Sequence, residues 1–295
     1  MPLVATLVSH PTERALSASL ANMASQAVGA SAVAWLDEGI ACDLALPLTM
    51  DAADALATLR TALATQSIDV IVQQAETRRK KILVADMDST MIDQECIDEL
   101  ADEIGVKDRV AAITARSMNG EIAFEPALRE RVALLAGLDA AVVDRIVANR
   151  LTLASGGATL VKTMRANGAW TALVSGGFEV FTTRIGALLG FQENRANRLL
   201  EQDGRFIGLV REPILGRAAK AEALIEISAR LGLTPGDVIA VGDGANDLDM
   251  IHLAGTGVAL HAKPAVAAQA KVRIDHGDLT ALLYMQGYRR DQFAQ

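Results

Sequence analysis

The stretch KKILVADMDSTMIDQE, residues 80–95, runs four apolar residues, Ile82 to Ala85, straight into Asp86 and Asp88. Ser89 and Thr90 follow, then Asp93 and Glu95. Like charges placed together raise one another's pKa and cost stability, so an acidic cluster after a buried-looking strand calls for a cation. Two other apolar runs end in distinctive residues: AWTALVSGG on Ser175-Gly176-Gly177, and DVIAVGDGAND on Asp243 to Asp247. Lys220 opens a helical stretch between them.

The donors on offer are oxygens. They suit Mg2+, which takes one or two carboxylates together with water and substrate phosphate. Asp86 and Asp243 are the leading metal ligands, with Asp88 beside them. A carboxylate can also attack phosphorus and form an aspartyl-phosphate. Two acids at i and i+2 then divide the labour: Asp86 attacks, while Asp88 protonates the leaving oxygen and later activates water. Lys220 and the metal neutralise the phosphoryl oxygens, where most of the catalysis of phosphoryl transfer lies. The Ser175 hydroxyl and the Gly176 amide cradle the same oxygens. Asn246 reaches a phosphate oxygen, and Asp247 orients Lys220 or a metal-bound water.

Taken singly, these features have plain structural explanations: a turn, a cap, an exposed lysine. Their joint position at the carboxyl ends of successive strands, where open parallel sheets bind ligands, is what makes them specific. Other chemistries do not fit. A calcium loop counted from Asp86 has Met91 and Ile97 where Gly and Glu are needed. The glycines at 242 and 244 lead to Asp247 where a dinucleotide fingerprint needs Gly, and no G-x-x-x-x-G-K-[ST] occurs. The four histidines, His10, His252, His261 and His276, are scattered and form no zinc spacing with Cys42 or Cys96. His261 and His276 read as structural. Ser175 lacks the G-x-S-x-G setting of a hydrolase nucleophile.

These side chains need elements to hold them. From Ile82 onward, short apolar strands alternate with helical stretches, the pattern of a parallel sheet. Residues 92–152 depart from it: they are helical throughout and read as a cap inserted after the first strand. LLEQDGRFIGLV, centred on Asp203-Gly204, reads as a hairpin. Residues 1–76 give the order β-α-β-β-α-β, with helices over 12–28 and 51–65, which is a ferredoxin-like domain. It resembles the ACT regulatory domains, which bind amino acids. ETRRKK, residues 76–81, reads as a solvated connector. The expected core is 77–91 with 153–295, so the fold class is α/β, Rossmann-like, with a helical cap and an N-terminal α+β domain.

DMDST, SGG, Lys220 and GDGAND resemble the four signature motifs of the haloacid dehalogenase-like phosphatases, over about 82–280. The D-x-D-S-T form, MIDQECIDELA and MNGEIAFEPALRERVALLAG are similar to the phosphoserine phosphatase branch in particular. That resemblance implies Mg2+-dependent release of L-serine and phosphate from O-phospho-L-serine, through phospho-Asp86. It also carries roles to the cap: Glu95 holds the substrate ammonium, Arg131 clamps its carboxylate, and Met118 with Phe124 closes a dry lid. Arg129, two residues from Arg131, points elsewhere on the helix. Met87 departs mildly from the family's usual Phe. Another small phosphomonoester, such as phosphohomoserine, is the alternative substrate, and a catalytically dead amino-acid sensor is the rival class. The intact set from Asp86 to Asp247 argues against the sensor.

The whole chain sets limits on partners. Its 295 residues carry a net charge of −8, which argues against nucleic acid or an anionic membrane as partner. The beginning MPLVATLVSHPTER lacks a basic, signal-like region, and no run reaches membrane-spanning length. With both cysteines read as reduced thiols, the expectation is a soluble cytoplasmic enzyme. A four-stranded sheet with helices on one face leaves the other face or an edge to be protected, which predicts a homodimer through the N-terminal domain. An amino-acid effector is the second role expected there.

Overall fold

The computed structural model describes residues 2–118 and 121–294, without the side chain of Met118. The N-terminal unit contains β1 (Leu3–Ser9), α1 (Ala18–Ala27), β2 (Val33–Asp37), β3 (Ala41–Ala45), α2 (Ala52–Ala62) and β4 (Ile68–Gln74). Its antiparallel sheet has the order β2-β3-β1-β4, the ferredoxin-like arrangement. Period-2 alternation divides its residues between two faces. Ala5, Leu7, Cys42, Leu44 and Val70 pack under α1 and α2. Val8, Ala41 and Ile71 face the other way and join the core of the larger unit. Helix α1 starts later than the sequence pattern suggests. Ser17 caps it through the Leu20 amide, and Pro11–Glu13 form a turn followed by Arg14 at φ 48°.

The second sheet is six-stranded and parallel, in the order β12-β11-β10-β5-β6-β7. Its strands are β5 (Ile82–Ala85), β6 (Trp170–Phe178), β7 (Glu193–Asn197), β10 (Val238–Gly242), β11 (Thr256–Leu260) and β12 (Val272–Ile274). β5 lies in the middle, and the chain moves first to one side of it and then to the other. The order therefore reverses between β5 and β10, where parallel sheets open a crevice for ligands. Flanking this sheet are α7 (Gly157–Ala166), α8 (Glu179–Leu189), α9 (Arg217–Arg230), α10 (Leu248–Leu253), α11 (Pro264–Ala267) and α12 (Ala281–Tyr284). Among the described residues, four helices stand between β5 and α7: α3 (Cys96–Glu103), α4 (Lys107–Met118), α5 (Phe124–Ala133) and α6 (Val142–Asn149). The hairpin β8 (Leu199–Gln202) and β9 (Arg205–Val210) turns at Asp203-Gly204. Among the described residues, no helix is long and apolar enough to cross a membrane.

The sheet face expected to need a second subunit is closed by the chain itself. Tyr284 and Met285 join its apolar residues, and the Tyr284 hydroxyl bonds Asp37 at 2.8 Å. The Gln73 amide donates to the Met285 carbonyl. Asp69 accepts the backbone N–H groups of Asp275, His276 and Gly277 at 2.8, 3.2 and 2.7 Å. The basic run is solvated only in part: Glu76, Thr77, Arg79 and Lys81 are exposed, whereas Arg78 and Lys80 are stitched in. Arg78 pairs with Asp43 at 2.7 Å, Arg79 lies 4.1 Å over the Tyr288 ring, and Lys80 Nζ donates to the Gly236 carbonyl at 2.8 Å. Asp69→Ala strands three backbone donors at this junction and should cost about 1–3 kcal/mol. Urea unfolding reads that loss, and an unchanged midpoint would show that water replaces the carboxylate.

Candidate active site

Three neighbouring strands, β10, β5 and β6, end side by side, and their carboxyl ends supply the site. Asp86 follows β5 directly, and its amide continues the ladder to the Val241 carbonyl at 3.0 Å. Its side chain is buried. Oδ1 accepts from the Met87 amide at 2.8 Å and lies 2.7 Å from Lys220 Nζ. Both donors fall on one oxygen, so Oδ2 has no donor among the described residues. Met87 turns away into the apolar core.

Lys220 reaches the site from the first turn of α9 and is only 2% exposed. Its ammonium also pairs with Asp247 at 2.6 Å. Burial works to lower the Lys220 pKa, but the two carboxylates outweigh it and the pKa stands raised. Burial raises Asp86 well above the usual carboxylate range, with Asp247 adding to the shift and Lys220 opposing it. Asp243, just past β10, is lifted to about 6 by burial and by Asp247. Thr90 donates to it at 3.3 Å. Carboxylate oxygens of Asp86, Asp243 and Asp247 all lie within 4.8 Å of one another, close enough to share a cation. Asp88 is not one of that trio. Its Oδ1 accepts the Cys96 amide at 3.1 Å and its Oδ2 stands 3.5 Å from the Ser175 hydroxyl. Burial raises its pKa, and hydrogen bonds from Cys96 oppose the rise.

Ser175 lies near the end of β6, where its Oγ accepts the Gly177 amide at 2.9 Å. A Cβ on Gly177 would come 2.6 Å from Asp88 Oδ2, so the missing side chain is what lets this end of β6 approach the acid. The Phe124 ring covers the same strand end, 3.6 Å from where a Gly176 Cβ would stand. Asn246 sits in the turn Ala245–Asp247 with its amide oxygen folded over Gly244.

On the cap side, Glu95 precedes α3 and is exposed, accepting from Ser89 at 2.9 Å. Enclosure on its inner side, with Asp88 adding, lifts its carboxyl to about 7. Arg131 lies on α5, held by the Ala127 carbonyl at 3.2 Å and the Thr114 hydroxyl at 3.3 Å. Burial lowers its pKa, opposed by the charges of Glu95 and Asp98. Arg129 turns outward to Glu212 and Glu125. The Met118 side chain falls outside the described residues. His261 bonds the Gly277 carbonyl and the His276 amide bonds Asp69, so both residues hold loops. The motif reading missed Thr90 and the Cys96 amide. The hydroxyl stood in plain view inside DMDST, whereas a backbone donor leaves no trace in side-chain chemistry.

Such a site can hold an anion between a buried ammonium and a cation, beside one free carboxylate oxygen and a second acid. The family model for haloacid dehalogenase-like hydrolase matches residues 83–252. A phosphoserine phosphatase of Streptomyces coelicolor is 42% identical over 240 residues, which cover 79% of this chain and 58% of that protein. A solved HAD family hydrolase from Salmonella enterica subsp. enterica serovar Typhi is 28% identical with a TM-score of 0.85, over 96% of this chain and 97% of that one. A structure described as the phospho-aspartyl intermediate analogue of phosphoserine phosphatase is 38% identical with a TM-score of 0.65, over 70% of this chain and 98% of that one.

Removing one partner of a buried ion pair leaves an uncompensated charge. Lys220→Met should therefore lower stability by about 3–5 kcal/mol in metal-free buffer. A divalent cation should restore part of that loss in urea unfolding. A change within experimental scatter would show that Asp86 and Asp247 do not depend on the lysine.

Proposed function

The chain belongs to the haloacid dehalogenase-like hydrolases, and from that premise we propose that it hydrolyses O-phospho-L-serine to L-serine and phosphate with Mg2+ as its metal. The observation that carries the reading is the asymmetry of Asp86. Lys220 and the Met87 amide hold Oδ1, which leaves Oδ2 as the nucleophile.

Oδ2 forms a bond to phosphorus as the phosphorus–serine oxygen bond breaks, and Asp88 gives its proton to the departing serine oxygen. Water then attacks the phospho-Asp86 phosphorus. Asp88 takes the water's proton, and the bond to Oδ2 breaks to release phosphate. Lys220, Ser175, the Gly176 amide and Asn246 bind the phosphoryl oxygens. Three clustered carboxylates, two of them paired with one lysine, remain short of positive charge, and their all-oxygen chemistry fits Mg2+. Asp86 and Asp243 would hold the ion, which when bound neutralises phosphoryl charge. Glu95 takes the ammonium of the substrate, Arg131 its carboxylate, and Phe124 excludes water.

The names of the similar proteins support this substrate, and the buried, unpaired state of Cys42 and Cys96 suits a reducing cytoplasm. With one sheet face covered, a homodimer would use the remaining open edge at β2. An amino-acid effector on that domain stays a second proposal, open to calorimetric titration with serine.

A panel of phosphomonoesters with and without Mg2+ tests the reading. Phosphoserine should give the highest kcat/KM, activity should vanish in EDTA, and Asp86→Asn should yield no phospho-enzyme. Substantial turnover by Asp86→Asn would overturn the covalent route. Because ammonium binding needs Glu95 ionised, kcat/KM for phosphoserine should fall as pH drops below about 7. Glu95→Gln, and any aryl phosphate lacking an ammonium, should lack that limb in the same pH series.

A further inference from the structure

Asn197 closes β7, pairs with Phe178 across the sheet edge, and is only 2% exposed. Its amide is fully used. Nδ2 donates to the Gly176 carbonyl at 2.8 Å and to the Leu215 carbonyl at 3.1 Å, while Oδ1 accepts the Leu215 amide at 2.7 Å. Burying an amide is unfavourable unless such bonds are made, so the three bonds are the reason the side chain is tolerated there.

They join two stretches that are distant in sequence. One is the Ser175-Gly176-Gly177 end of β6, where its register with β7 shifts, the other the entrance to α9, five residues before Lys220. Fixing the Gly176 carbonyl fixes the peptide that carries the Gly177 amide, and that amide in turn bonds Ser175 Oγ. Fixing Leu215 fixes the start of the helix that delivers Lys220 to Asp86. The Phe124 ring lies against both stretches, near Gly176 and near Gly216.

We propose that Asn197 is a positioning residue that sets the spacing between the Ser175–Gly176 cradle and Lys220 while touching no substrate itself. The inference rests on the phosphatase reading of the site. Two variants of the full-length, Mg2+-loaded enzyme test it. Asn197→Asp keeps the shape and the acceptor but turns an oxygen toward two carbonyls. Asn197→Leu removes all three bonds at similar volume. With either variant, kcat on phosphoserine and on p-nitrophenyl phosphate should fall about 10²-fold, the usual scale for a misplacement near 1 Å. Inhibition by inorganic phosphate should weaken about tenfold while inhibition by L-serine, held by the cap, stays within about twofold.

Unchanged kcat overturns the proposal. So does a parallel loss of phosphate and serine affinity, or loss of the cooperative unfolding transition in both variants, either of which would make Asn197 a residue of the fold alone. If the wild-type enzyme hydrolyses p-nitrophenyl phosphate but not phosphoserine, the substrate reading fails. Asn197 is then judged on the aryl ester and phosphate arms alone.

Discussion

A lysine ammonium buried between two aspartates is the constraint around which this molecule is organised. Taking Lys220 out of water is costly, and its attraction to Asp86 and Asp247 offsets that cost only with close geometry. The partners come from three separate stretches: the end of β5, the turn after β10 and the first turn of α9. Nothing local brings them together, so the parallel sheet must. Gly242 shows how tight the fit is, since a Cβ there would collide with the Asp247 carboxylate. The sheet order places β5 between β10 and β6, so the ion cluster and the Ser175 end of β6 meet at one crevice.

The cap is braced against the same framework. The hairpin of β8 and β9 packs on α5, the helix that carries Phe124 and Arg131. The Gly137 amide bonds the Phe206 carbonyl at 2.8 Å, and the Ala140 amide bonds that of Gly204 at 2.9 Å. The two chain crossings into the cap are paired as well, Asp93 with Thr152 and Ala154 with Met91. The cap and the sheet also share one apolar cluster, with Leu100, Leu128 and Val132 packed in the same core as Leu83 and Ala85.

Much of this was legible from residues alone, because apolar runs that end in acids or small residues mark strand termini whatever lies around them. KILVAD, ALVSGG and VIAVGD placed the site in that way. What escaped has physical reasons. β7, reading ENRAN, and β12, reading VRI, lie at the sheet edges, where one side needs no apolar run. The partner of Asp88 is a backbone amide, and Asn197 joins two stretches that only the fold brings together. The N-terminal β-α-β-β-α-β order showed that one sheet face or an edge would need cover, but it cannot say what supplies it. Nor could charge alone show that Arg78 bridges the two units while Lys80 is tied down within the larger one.

The N-terminal sheet is made early and covered late. Its four strands can pair once residue 74 has been synthesised, yet Asp69 waits for amides 206 to 208 positions further on. At ~5–20 residues per second, that interval is on the order of 10–40 s. Throughout it, the face bearing Val8, Ala41 and Ile71 stays open to solvent, to other nascent chains and to chaperones. The same docking that removes this face from view in the finished protein makes the ribosome-bound chain the stage at which it is most prone to mispair.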